Sequence, residues 1–113
     1  MADAPPLLKG TLDILVLKAL SWAPMHGFEI VNWLEQRSGG SVGVDDGALY
    51  YALHRMEERG LIESEWRLTS NNRKARYYRM RPAGRVHLRT EGASLERYAR
   101  ALAEILALRG SGP

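Results

Sequence analysis

The sequence predicts a mainly α fold with one small β-hairpin. Three observations carry this. Apolar residues recur at three- and four-residue spacing in three separate segments ahead of Gly60. Two β-favouring runs then flank the polar turn SNNRK. After Pro82, Leu88, Leu95 and Leu102 fall seven residues apart.

Leu7 to Ala23 reads as the first helix, with Leu8, Leu12, Leu15 and Leu20, beside Val16 and Ala19, as its apolar stripe. Thr11 and Asp13 lie near its start. Pro24 is expected to end it, because the residue before a proline is pushed out of the helical region. A second helix runs from His26 or Gly27 to Arg37, with Phe28, Ile30, Val31 and Leu34 as its buried candidates. SGGSVG breaks the chain. Asp45 or Asp46 then opens a third helix by accepting from free backbone N–H groups. Leu49, Leu53 and Met56, with Ala52 beside them, form its core stripe. Gly60 supplies a left-handed stop. LIESEWRLT and ARYYRM are the hairpin strands. Pro82 is placed as the first residue of a last helix reaching about Leu108, and RGSGP reads as a loose tail. Three helices followed by a hairpin make a winged helix-turn-helix, with the hairpin as the wing.

The bulk properties bound the function. A chain of 113 residues fits one domain with a modest core, which a partner subunit can enlarge. It has no cysteine, so disulfides and thiolate metal sites are excluded. MADAPPLLKG has no basic segment leading an apolar run, and no stretch is apolar for the length of a membrane span. A cytoplasmic protein without a membrane partner is expected. His26, His54 and His87 sit on different elements, and no pair has metal-ligand spacing. His26, beside Gly27, suits a turn or helix cap. No nucleophile motif, phosphate loop or dinucleotide fingerprint is present. The expectation is therefore a non-enzyme with no cofactor and no metal.

The charge is unevenly spread. Residues 1–53 carry three basic groups against six acidic ones. Residues 54–89 carry ten against four, and residues 90–113 three of each. A basic middle third suggests a polyanion. The third helix begins that region with an odd outer face. At 100° per residue, Gly47, Tyr51 and His54 lie opposite the leucines, flanked by Ala48, Tyr50 and Arg55. In a helix-turn-helix this helix enters the major groove, and its N-terminal half meets the bases. Small Gly47 and Ala48 allow close approach. Tyr50 and Tyr51 can reach phosphate, and His54 and Arg55 phosphate or base edges. Asn71, Asn72, Arg73, Lys74 and Arg76 lie on or beside the hairpin tip, suited to a minor groove or its phosphates. The plainer alternatives are tyrosines over core and a basic turn that serves solubility. Double-stranded DNA is the expected partner. Residues 1–81 are then a winged-helix DNA-binding domain, 82–108 a C-terminal dimerisation helix and 109–113 a flexible tail.

The dimerisation expectation rests on a heptad-like seam. Leu88, Leu95 and Leu102 recur at seven, Tyr98 and Ile105 fall three after the latter two, and Ala99 and Leu106 four after. A homodimer would set two recognition helices on successive major-groove turns. Leu15, Trp22 and Met25, with Tyr98, are candidates for an effector cavity at that interface; core packing is the alternative for the tryptophans, Trp33 included.

LLKGTLDILVLKAL at 7–20, HGFEI at 26–30, GALYYALHRMEERGLIESEW at 47–66 and NNRKARYYRMRPAGR, ending at Arg85, resemble the PadR family of bacterial transcriptional regulators. The likeness covers about residues 7–90, and is to the short subgroup with a single C-terminal helix. It implies a homodimeric repressor of a palindromic operator, released by a small hydrophobic or phenolic effector. Tyr51 stands where the family usually has Pro, Phe28 where it often has Tyr, and Arg81 where Thr often precedes the last helix. Tyr98 is the one aromatic this helix offers for stacking a ligand. Two other functions fit the same fold: a DNA-binding repressor with no effector, and a winged helix used only for protein–protein contact.

Overall fold

The computed structural model describes residues 10–110. Its elements follow in the order α1 (Thr11–Leu20), β1 (Met25–His26), α2 (Gly27–Arg37), α3 (Asp46–Glu58), β2 (Ile62–Leu68), β3 (Lys74–Met80) and α4 (Pro82–Ala107). The fold is mainly helical, with a small antiparallel sheet and a long last helix, as the patterning predicts. Leu7 and Leu8 of the expected first helix, and residues 111–113 of the expected tail, lie outside the described residues.

The core gathers where α1, α2 and α3 meet the root of the hairpin. Val16, Leu17, Ile30, Leu53 and Met56 are wholly buried there, with Leu49 and Ile62 almost so. The third helix follows its sequence signals closely. The Asp45 carboxylate accepts from the Ala48 N–H at 3.1 Å. At the other end Gly60 has φ 74°, the Leu61 N–H donates to the Met56 carbonyl at 3.0 Å, and the Gly60 N–H to that of Glu57 at 3.0 Å. That pair of bonds satisfies the last carbonyls and turns buried Leu61 back onto buried Met56.

Three expectations need correction. The hairpin is joined by a third strand: Met25 pairs with Tyr78 and His26 with Tyr77, giving the order β1-β3-β2. Two residues are too few to show a period of two, so this strand leaves no sequence pattern. Helix α1 correspondingly ends at Leu20 rather than Ala23, because the chain must be extended by Met25 to pair. Phe28, expected in the core, is 70% exposed. It stands two residues from fully buried Ile30, about 200° round the helix, so the two cannot share the inward face.

Helix α4 is docked by its first turn. Arg81 precedes Pro82 and donates its N–H to the Leu61 carbonyl at 2.9 Å. Gly84 is buried against the same carbonyl, and a Cβ there would fall on that oxygen and within 2.8 Å of Met80 Cγ. A fixed backbone atom cannot swing aside as a side chain does. Gly84→Ala is therefore expected to destabilise by about 1–3 kcal/mol through overpacking, read as a lower urea midpoint at unchanged slope. A wild-type midpoint would mean that this docking is looser than the structure has it.

Candidate nucleic-acid interface

The outer face of α3 is presented as expected. Leu49, Ala52, Leu53 and Met56 are buried, while Gly47, Ala48, Tyr51 and His54 are exposed. Tyr51 stands 67% exposed. His54 Nε2 lies 3.7 Å from Glu58 one turn on, so the imidazole lies along the helix.

Arg55 does not reach outward. Its guanidinium donates two hydrogen bonds to the Asp13 carboxylate of α1, at 2.6 and 2.7 Å. Asp13 is 5% exposed, and nothing near the start of an amphipathic helix signalled this partner. The hydrogen bond to Asp13 holds the guanidinium pKa above its already high ordinary value. The same guanidinium lies 5.2 Å from the Tyr51 ring centroid, so the ion pair steadies a residue of the outer face. Tyr50 is also redirected. Its hydroxyl rests over Gly27, where a Cβ would come within 2.7 Å of it, so Tyr50 bridges α3 to the start of α2.

His26 performs the capping role its position suggests. Its Nδ1 accepts from the Glu29 N–H at 3.3 Å, while the His26 N–H donates to Glu29 Oε1 at 3.1 Å. This reciprocal box satisfies two free donors of α2. The Tyr77 ring meets the imidazole edge-on at 5.2 Å, tying the cap to the sheet.

The wing turn is closed by the Thr69 N–H donating to the Arg73 carbonyl at 2.7 Å, with Asn72 at φ 62°. Asparagine tolerates that left-handed conformation better than most residues. Asn71, Asn72, Arg73 and Lys74 are all exposed. Neither Arg73 nor Lys74 has a carboxylate partner among the described residues. Arg76 is instead held: its Nε donates to Ser64 Oγ at 2.7 Å, and Glu57 of α3 lies 3.6 Å from the guanidinium. Between the wing and the start of α2 opens a cleft of about 850 Å³, walled by Phe28 and Tyr50 on one side and by Trp66, Arg73, Lys74 and Arg76 on the other. Phe28 and Trp66 were not among the expected site residues. Pairing the two strands about SNNRK would have set Trp66 beside Arg76, but only the β1–β3 pairing brings α2 opposite them.

The seam of α4 divides in two. Leu88 packs partly against the core and Leu95 is half-buried, whereas Tyr98, Ala99, Leu102, Ile105 and Leu106 are exposed, Leu106 to 82%. The four expected effector residues are not brought together within one chain. Leu15 faces a groove of about 680 Å³ shared by α1 and α4, with Leu88 and Leu95. Tyr98 borders a separate hollow beside Asp13 and His87. Met25 lies in β1, partly buried against the core, and Trp22 is 66% exposed with the Arg37 guanidinium 5.8 Å from its ring. Among the described residues no group of three or more histidine, aspartate or glutamate side chains is placed to hold a metal ion, and no helix is long and apolar enough to cross a membrane.

The chain is similar to known regulators along most of its length. Rv3488, a transcriptional regulator of Mycobacterium tuberculosis, is 44% identical over 69 residues, which are 60% of this chain and 64% of that protein. The chain thus spans slightly under two thirds of that relative. The structure superposes on a PadR-like transcriptional regulator from Bacillus cereus with a TM-score of 0.75 at 26% identity, covering 90% of this chain and 97% of the other. A PadR family transcription regulator from Clostridium difficile gives 0.72 at 26%, covering 87% and 100%. The model of the transcriptional regulator PadR-like family matches residues 16–90. That span holds the second half of α1, both of the following helices, the whole wing and the docked start of α4, so the chain belongs to the PadR-like family of transcriptional regulators, which bind DNA and are not enzymes.

Proposed function

We propose that the chain is a homodimeric repressor that reads a palindromic operator and is released by a small hydrophobic or phenolic effector. Residues 1–81 serve DNA and residues 82–108 the dimer. As a regulator it works where the DNA is, in the cytoplasm. The observation that carries the DNA surface is the exposed face of Gly47, Ala48, Tyr51 and His54 on a helix tied to a wing whose Arg73 and Lys74 lack carboxylate partners among the described residues. Base reading falls to Tyr51 and His54, and backbone attachment to Tyr50, Asn71, Asn72, Arg73 and Lys74. Arg55 serves by holding Tyr51, and Arg76 by holding the wing to α3. The exposed end of α4 supports the dimer. The groove beside Leu15 supports the effector, because its size lies in the range of roughly 300–1,000 Å³ typical of ligand sites. Trp22, Met25 and Tyr98 join such a site only through a second subunit.

A titration of promoter DNA against random DNA at two salt concentrations tests this. Tyr51→Ala or His54→Ala should narrow the preference for the promoter by about 1–3 kcal/mol at the base read. Arg73→Ala or Lys74→Ala should weaken both DNAs alike and reduce the salt slope by about one. Binding that ignores salt would favour the alternative of an apolar protein contact. Wild-type behaviour in all four variants would remove the surface from consideration.

A further inference from the structure

The register of the wing gives it two unlike faces. Glu63, Glu65 and Arg67 stand opposite Arg79, Tyr77 and Ala75 on one face. There the charges cancel: Arg79 pairs with Glu63 at 2.5 Å and Arg67 with Glu65 at 3.0 Å. The other face holds Ser64 opposite Tyr78, Trp66 opposite Arg76 and Leu68 opposite Lys74. Tyr78 is 6% exposed, which identifies this as the face turned toward the helices. Beyond Tyr78 that face runs out past the core, and there it carries an indole 59% exposed among cations.

The indole is mounted. The Arg76 guanidinium lies 5.7 Å from the Trp66 ring centroid. Arg76 donates to Ser64 Oγ, and Ser64 donates in turn to Glu57 Oε2 of α3 at 2.6 Å. A hydrogen-bonded chain therefore runs from α3 to Arg76, whose guanidinium lies beside the indole, leaving much of the ring open to the cleft. Phe28, 70% exposed, lines the facing wall. Glu29, a carboxylate that also borders the cleft, is engaged in capping α2.

Two exposed aromatic walls with Arg73 and Lys74 at the lip suit an occupant that alternates flat apolar faces with anions. The backbone of a DNA strand in a duplex has that alternation, with deoxyribose faces between phosphates. A membrane surface does not fit, because the wing tip that would enter it is Asn71, Asn72 and Arg73. We propose that Trp66 and Phe28 are DNA-contact residues: one strand of the duplex passes through the cleft, its sugars packed on the two rings and its phosphates met by Arg73 and Lys74. This rests on the DNA-binding role proposed above, and adds an apolar grip to its electrostatic one.

Salt separates the two kinds of contact. Trp66→Ala and Phe28→Ala should each weaken promoter and random DNA by about five- to tenfold, with the slope of log affinity against log salt unchanged. Lys74→Ala should lower that slope by about one. Both aromatics are mostly exposed, so the variants should fold, and Trp66→Tyr should restore most of the affinity. The emission lost between wild type and Trp66→Phe should change when DNA saturates the protein. Wild-type affinity in both alanine variants, or emission from Trp66 indifferent to DNA, overturns the proposal. A salt slope altered by Trp66→Ala also overturns it, since the ring would then act only by holding Arg76. Any of these results alongside a normal Lys74 effect leaves the DNA-binding role standing. Absence of salt-sensitive DNA binding by the wild-type protein would fell that role itself.

Discussion

Replacing Leu102 and Ile105 together by Glu is expected to yield a folded monomer that binds its operator about 10²–10⁴-fold more weakly than the wild type, the range that linked binding modules gain over single ones. Leu102 is 39% exposed, Ile105 63% and Leu106 82%, at the end of a 26-residue helix whose first half packs on the domain, through Leu88 and as far as half-buried Leu95. Such a helix is about 39 Å long, and it lengthens the molecule to 60 Å in one direction against 35 and 21 Å in the others. Apolar side chains displayed along its far end have no covering among the described residues. Burying four or five of them against a second copy contributes on the order of 5–10 kcal/mol before ordering costs. Two carboxylates on each helix would place like charges in the seam. The domain itself should be untouched, because neither side chain joins the core cluster. Sedimentation or light scattering would show the change in mass, and circular dichroism the retained helix. A double variant that stayed dimeric would locate the interface elsewhere.

Arg55→Ala carries the largest expected cost to the domain. It strands the Asp13 carboxylate, 5% exposed, without its cation. Removing one partner of a fully buried pair costs about 3–5 kcal/mol. The Arg55 side chain is 38% exposed, so water can partly reach the vacated site, and about 2–3 kcal/mol is the discounted expectation. Base preference should fall as well, because the Tyr51 ring loses the guanidinium beside it. Asp13→Leu with Arg55→Leu should be closer to wild type in denaturant than Arg55→Ala alone, since no charge is then left buried. If the single variant were as stable as the wild type, the pair would be an ornament of the surface and not a tie between α1 and α3.

Much of this molecule was legible in one dimension, for identifiable reasons. The bounds of α3 are written in Asp45 and Gly60, because a carboxylate cap and a left-handed stop act on neighbouring backbone groups. Pro82 marked the start of α4 in the same local way. The unclaimed seam at the end of α4 was legible as a heptad pattern, though not that Leu88 and Leu95 would turn toward their own domain. Phe28 was misplaced because a short helix with several apolar residues permits more than one inward face, and the choice depends on what packs above it.

The residues alone determined the order of the elements, their main stops and starts, the basic middle third and the aromatic outer face of α3, since each follows from interactions within a few positions of the chain. Only the tertiary structure decided that Arg55 turns back to Asp13, that Met25 and His26 add a strand, and that Phe28 and Trp66 wall a single cleft. Those partners lie tens of residues apart. Which of them meet is set by how whole helices pack over a shared core, and no local rule of spacing contains that information.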